Sequence, residues 1–378
     1  MTAIGALLTA IALVAALVAR GGVALAARSG GVPLHLRRVL TLIAVLMAFR
    51  LAAAAIPAAL LVAGTLMVAS WLPFATLRLA EELVRRHAPR AVKLLALGGA
   101  AVFSVLAVTF GLVWAEAAIL ALALFQGVVV LAVLAHLVRH RGAVSMAERL
   151  AVDMLALAFI VSVPLIATDF RELFADLPFR GGAFAALVFV LACSRLAGDA
   201  SSPLRLIGDV ALAVGAAALM AVAAILVGAP GSVTAAVAAM AAGATALALL
   251  FERFAFPSRE NEGLLLAVGR AGSGEAAILS AHPLLASAVP VAAGALADIP
   301  DDLVAGLARQ RVVSLGSGSG SETLDGTARE LLTRFGATHL LRLSQQPPRF
   351  IAISGGVLEE ERLTSELVIV ARLLERAP

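Results

Sequence analysis

Charge is scarce in this chain. Only 14% of its 378 residues are Asp, Glu, Lys or Arg, against about a quarter in soluble globular domains, which excludes an ordinary water-soluble protein for the bulk of the sequence. Cysteine is scarcer still: Cys193 stands alone in an apolar run, so neither an intrachain disulfide framework nor a cysteine-built metal site is available. Inverted repeats, an intramembrane series of proton-relaying groups and matching Gly/Pro-broken helices in two halves are also missing, and with them the sequence pointers to a secondary transporter. No nucleophile, base and oxyanion grouping occurs at a recognisable spacing, so neither enzymatic activity nor a cofactor is expected. What the chain has is hydrophobicity. Apolar residues make up 61% of it, and mean hydropathy is +1.01.

Apolar stretches of roughly 18 to 25 residues, the length that crosses about 30 Å of hydrocarbon, recur through the first two-thirds of the sequence. We read nine, near 3–20, 36–54, 57–80, 92–113, 116–138, 149–168, 182–196, 205–228 and 232–252. The second and third are divided only by "AAAAIPAA" around Pro57, whereas "GAPGS", Gly228 to Ser232, suits a tight helical hairpin between the eighth and ninth. The first stretch has no basic residue before its apolar run, and its first Arg follows it. A retained helix is therefore expected rather than a cleaved signal.

Lys and Arg collect on one side of this pattern. Residues 1–261 hold 19 of them against 12 Asp and Glu, and 16 of the 19 fall after odd-numbered spans. By the positive-inside rule the N-terminus lies outside and the C-terminal part in the cytoplasm, which requires an odd number of spans: nine, with seven also compatible. An inner-membrane location is expected. Residues 262–378 carry 10 basic against 13 acidic residues, and nothing suggests a nucleic-acid surface. Past the third span, "LRLAEELVRRHAPR" reads as a continuing helix with Arg78/Glu82, Glu81/Arg85 and Glu82/Arg86 four apart.

Polar residues inside spans point to function by default. Arg50, Glu116, Gln126, Asp153 and Asp169 qualify, with Arg171 beside Asp169 in the longest outer segment, 168–181. Glu116 falls in a short outer loop, Asp153 is one turn from Arg149 and suits a local pair with it, and Arg50 can snorkel outward from the end of its span. Interfacial anchoring and helix–helix pairing are the preferred reading of this set, and a ligand or ion site the alternative. The segment 168–181 is the natural place for an external stimulus.

After Arg259 the character changes. "GLLLAVGRAGSGEAAILSAH", 263–282, reads as two short strands around a "GSG" turn. "DIPDDLVAGLARQRVVSL" reads as a helix with Asp298, Asp301 and Asp302 at its start, then a strand. "TLDGTARELLTRFGA" is a helix closed by Gly336. "THLLRLS" and "RFIAIS" are strands joined by "QQPP", and "LTSELVIVARLLERA" is a last amphipathic helix. His282 and His339, the only histidines here, are read as structural.

That order, through "PDDLVAGLARQRVVSL", "LLTRFGATHLLRLSQQPPRFIAISGG" and "LTSELVIVARLLERA", resembles the GAF family of sensory domains over roughly 262–378. With the helices before it, the chain resembles the input half of GAF-containing membrane histidine kinases. Together with the seven to nine spans read above, the resemblance implies a polytopic α-helical membrane protein followed by a small cytoplasmic α/β GAF-like domain, divided as 1–254, a linker 255–262, and 263–378. It departs from those kinases in showing no phosphoacceptor-His helix or ATP-binding boxes before Pro378, so kinase activity is not expected. It departs from ligand-binding GAF domains in having no cysteine for a bilin and no Asn-Lys-Phe-Asp-Glu set. A sensor or relay acting by protein contact follows, with the bilayer as its surroundings. The closing helix, with Leu363, Leu367, Val370 and Leu374 on one face, either pairs with a homodimer mate or separate partner, or packs on its own sheet. A transporter or membrane-embedded enzyme with a regulatory tail, and a structural subunit of a larger complex, are the alternatives.

Overall fold

The computed structural model describes residues 3–23, 31–144, 146–169, 181–196, 203–255, 264–272, 274–314, 321–355 and 360–375. Helices dominate. In chain order the first are α1 Ala3–Val23, α2 Gly31–Ala55, α3 Ala59–Val84, α4 Arg90–Val108, the single turn α5 Gly111–Trp114, α6 Glu116–His140, α7 Met146–Ala167, α8 Gly182–Leu196, α9 Pro203–Leu226 and α10 Gly231–Ala255. Among the described residues eight helices are long and apolar enough to cross a bilayer, namely all of these except α5 and α8. The chain is thus a multi-pass helical membrane protein.

The expected span at 182–196 is the exception. α8 has 15 residues, about 22 Å at 1.5 Å per residue, short of the hydrocarbon thickness. Twelve of the 15 are buried, which identifies it as an interior helix: α1, α2, α9 and α10 pack around it, Phe189 meets Phe159 of α7 with ring centroids 5.5 Å apart, and Ser162 donates to the carbonyl of Ala185. Elsewhere neighbours in sequence pack as hairpins, α1 on α2, α2 on α3, α3 on α4 and α9 on α10. The break around Pro57 is real, and Gly228 takes φ +73° in the α9–α10 turn, a conformation that costs glycine nothing.

α3 runs on one turn past the expected end of its span at 80 and stops at Val84. Arg85 adopts φ 50°, ψ 30°, and the backbone N–H groups of Arg85 and Arg86 turn back to the carbonyls of Glu82 and Glu81, ending the helix at Val84. The helix therefore does not carry Arg85 and Arg86 as the sequence reading expects. Arg78 pairs instead with Glu81, at 2.8 Å.

The remaining elements are α11 Leu264–Arg270, α12 Glu275–Ser280, α13 Pro283–Ala286, β1 Val289–Pro290, α14 Ala293–Leu296, α15 Asp301–Arg309, β2 Val312–Ser314, α16 Glu322–Arg334, β3 His339–Gln345, β4 Pro348–Ile353 and α17 Glu360–Leu374. The strands form one antiparallel sheet in the order β1-β4-β3-β2. Both faces are covered, since alternate residues of a strand point to opposite sides. Val312, Leu341, Ile351 and Ile353 pack with α11 and α17, while Val313, Leu340, Phe350 and Ala352 pack with α15 and α16. This double burial explains why β3 and β4 read as continuous apolar runs.

Two expectations change here. Residues 264–270 and 275–280 are helices, not strands: Leu264 and Val268, one turn apart, are both buried on α17, the spacing of a helix face. Leu363, Leu367, Val370 and Leu374 of α17 are buried against the module's own sheet, so that face is already occupied. The α16 terminus forms as read. Gly336 has φ +58°, its N–H bonds the Thr333 carbonyl and that of Ala337 bonds the Leu332 carbonyl, both bonds of a Schellman cap.

The chain divides into two compact units, one of 1–141, 151–196 and 201–256, the other of 142–150, 197–200 and 257–378.

Candidate functional site

The intramembrane polar residues resolve into ties between helices. Arg50, near the end of α2, meets Asp169, just after α7, at 2.7 Å, with side chains 15% and 17% exposed. The other Asp169 oxygen accepts from the N–H of Gly182 at 3.0 Å, and the N–H of Gly181 donates to Thr168 at 2.7 Å. A Cβ on Gly182 would collide with the Asp169 carboxylate and lie 2.7 Å from an Arg50 nitrogen, so the start of α8 needs glycine here. Arg50 is therefore tied inward rather than snorkelling. Arg171 lies outside the described residues.

Asp153 is paired, but with Arg141 rather than Arg149. Arg141 Nη2 donates at 2.6 Å and Nε makes a second bond; this bidentate contact raises the Arg141 pKa further above its usual value. The chain reverses between α6 and α7, and this reversal brings position 141 to 153. Glu116 is the exposed first residue of α6, where a carboxylate complements the helix dipole. Gln126 donates to the Ala69 carbonyl, at 2.9 Å, joining α6 to α3.

Two further carboxylates, Glu81 and Asp209, are buried between helices. Glu81, 4% exposed, accepts from Arg78 at 2.8 Å, Lys93 at 2.7 Å and the Ala88 N–H at 2.7 Å, tying the end of α3 to the start of α4. Asp209, in α9, receives two bonds from Arg195 of α8, at 2.7 and 3.0 Å. Asp209 falls within the first turns of a span, and that placement is the signal that marks it.

One constellation is not a tie. Where α1 ends, α2 begins and α3 ends, a cavity of about 490 Å³ is lined by Arg20, His35, Arg37, Arg38 and Arg78. Its wall is nonetheless mostly carbon, from Leu34, Leu42, Trp71, Phe74, Ala75 and the arginine stems. Trp71 and Phe74 stand edge to face, centroids 6.1 Å apart, and the indole N–H is taken by Ser104 at 2.9 Å. Arg20 Nε donates to Thr41 at 3.0 Å. No carboxylate lines the cavity, and among the described residues no carboxylate pairs with Arg20, Arg37 or Arg38. In sequence these arginines count only as a topology signal, because nothing in their spacing shows that α1, α2 and α3 bring them to one cavity.

In the C-terminal unit His339 is structural: its Nδ1 meets the Thr338 hydroxyl at 2.8 Å and its Nε2 that of Thr364 at 3.0 Å. His282 Nδ1 accepts from the Leu284 N–H. Arg342, buried in the sheet, donates to the Ala308 carbonyl at 2.5 Å and to Glu375. Burial opposes ionisation of Glu375, but the Arg342 bond and charge, with Arg311 behind them, hold its pKa below the usual value.

No family model, curated protein or solved structure matches the chain.

Proposed function

We propose that the chain is a membrane-embedded sensory or relay protein. Its helical unit lies in the inner membrane and its C-terminal α/β unit, of GAF-like kind, acts in the cytoplasm by pairing with a second copy. The retained order of helix, strand, helix, hairpin and closing helix over 301–374 supports the GAF-like reading; the helices at 264–270 and 275–280 depart from it. The arginine distribution supports the cytoplasmic side, with the buried α8 counted as a ninth crossing beside the eight long helices.

The observation that carries the pairing is on the outward side of α17. Ile369 and Leu373, one turn apart, are 43% and 41% exposed, although the opposite side of the helix is fully used. Two such helices crossing at Ile369 bury the same exposed pair from each copy against its counterpart, the self-complementary contact that a two-fold interface uses.

The test is native mass spectrometry of the full chain in detergent. A dimer is expected, lost on Ile369→Glu/Leu373→Glu with the melting temperature unchanged. A monomer, or a dimer indifferent to that substitution, would overturn the pairing; a different protein held at fixed ratio would replace the second copy as partner.

A further inference from the structure

We propose that the cavity between α1, α2 and α3 is a binding site for one phosphate-bearing anionic lipid, its headgroup on Arg20, Arg37 and Arg38 and an acyl chain along Trp71, Phe74 and Leu42. This inference does not depend on the relay reading.

Three observations converge. The cavity, about 490 Å³, lies within the roughly 300–1,000 Å³ of ligand clefts, enough for a headgroup and the upper part of a chain. Positive charge arrives there from Arg20 of α1 and from Arg37 and Arg38 of α2, with no carboxylate in the lining; Arg78 of α3 is already paired with Glu81, and Arg50 and Arg195 are paired with Asp169 and Asp209. Arginines kept this way at a bilayer edge select an external anion, and guanidinium groups match phosphate oxygens in pairs. The wall, finally, is carbon with an aromatic pair whose only polar handle is already bonded to Ser104. A soluble anion has no use for that surface; an acyl chain does. Basic pockets between membrane helices are the known chemistry of anionic-headgroup recognition. A mere topology signal needs arginines on the correct side of the membrane, not a shared cavity with an apolar wall.

The test uses the full chain in zwitterionic micelles, titrated with phosphatidylglycerol and read by native mass spectrometry. Saturable binding of one lipid per chain is expected. Each arginine removed should weaken it about fivefold, so Arg37→Gln/Arg38→Gln loses about 30-fold, while Arg37→Lys/Arg38→Lys retains most of the affinity. Arg139→Gln removes an exposed charge of α6 that does not line the cavity and should change nothing. Trp71→Ala should abolish the preference for long over short acyl chains. Glycerol phosphate binding as tightly as the lipid would overturn the assignment of the apolar wall. Equal losses in the Arg139 and Arg37/Arg38 variants would reduce the effect to diffuse attraction and overturn the site, as would absence of saturable binding.

Discussion

Replacing Gly182 with Ala tests how the helical unit is held together. The added methyl occupies the space of the Asp169 carboxylate and of an Arg50 nitrogen, so it must expel a group that makes an ion pair of 2.7 Å and a hydrogen bond of 3.0 Å. A hydrogen bond to a charged group is worth about 1.5–3 kcal/mol, and both side chains are less than one-fifth exposed, so solvent screening is modest. Gly182→Ala should therefore cost about 2–3 kcal/mol. Asp169→Ala removes the same contacts and also strands Arg50, costing about 3–4 kcal/mol. The two losses must not add, because once the carboxylate is gone the methyl has less to displace. In the Asp169→Ala background the Gly182 substitution should cost about 0.5 kcal/mol, a coupling of about 2 kcal/mol. Cys193 provides the readout: it is the chain's single cysteine and fully buried in α8, so a thiol-reactive fluorogenic maleimide reports the opening of this helix on heating. Each single variant should lower the transition by about 5–10 °C. Additive losses would refute the reasoning, as would a Gly182→Ala protein that melts like the parent.

Glu81→Ala leaves Lys93, Arg78 and the Ala88 N–H without their common acceptor and should cost about 3–5 kcal/mol; Arg78→Ala, whose side chain is 41% exposed, should cost under about 1 kcal/mol, and the same thiol assay compares them. In the C-terminal unit Glu375→Ala strands Arg342, which is 7% exposed and whose Nε already lacks a partner, so it should destabilise more than Arg342→Met, read by hydrogen exchange of β3 and α17. The lowered pKa of Glu375 contributes stability that is present above its ordinary value of 4.5 and lost as pH falls through the folded-state value; exchange of these segments should accelerate on acidification below about pH 4.5, and less so in Glu375→Gln. Leu367→Ala, at a fully buried position of α17, should cost about 2–5 kcal/mol and speed exchange through the sheet, whereas Ile369→Ala on its outer side should not.

Much of the helical unit was legible because lipid imposes a length on apolar segments, and eight of the nine expected spans form as long helices. α8 forms at the expected bounds but is shorter than the others, because it is buried among other helices, surroundings that hydropathy does not distinguish from lipid. In the C-terminal unit the "QQPP" hairpin and the Gly336 cap are local chemistry and could be read directly. "GLLLAV" was ambiguous: a short apolar run suits a buried strand as well as a helix, and only its packing on α17 decides. Pairings were the hardest to foresee. Arg50 and Asp169 were each marked as costly in lipid, yet their distance in sequence hid that they satisfy one another. Arg141 took the place of Arg149 through a chain reversal, and Glu81 looked like part of an exposed helix end until the left-handed Arg85 turned the chain back over it.

The most direct measurement is the sidedness of the start of α10 and of the C-terminal unit. In a Cys193→Ser background, Ser232→Cys stands at its start and Ser280→Cys on α12 of the C-terminal unit, both at exposed positions. An impermeant maleimide added to intact spheroplasts should label position 232 at once and position 280 only after permeabilisation. Labelling of position 280 in intact spheroplasts would contradict a cytoplasmic C-terminal unit, and equal access to both positions would mean that α10 does not cross the membrane.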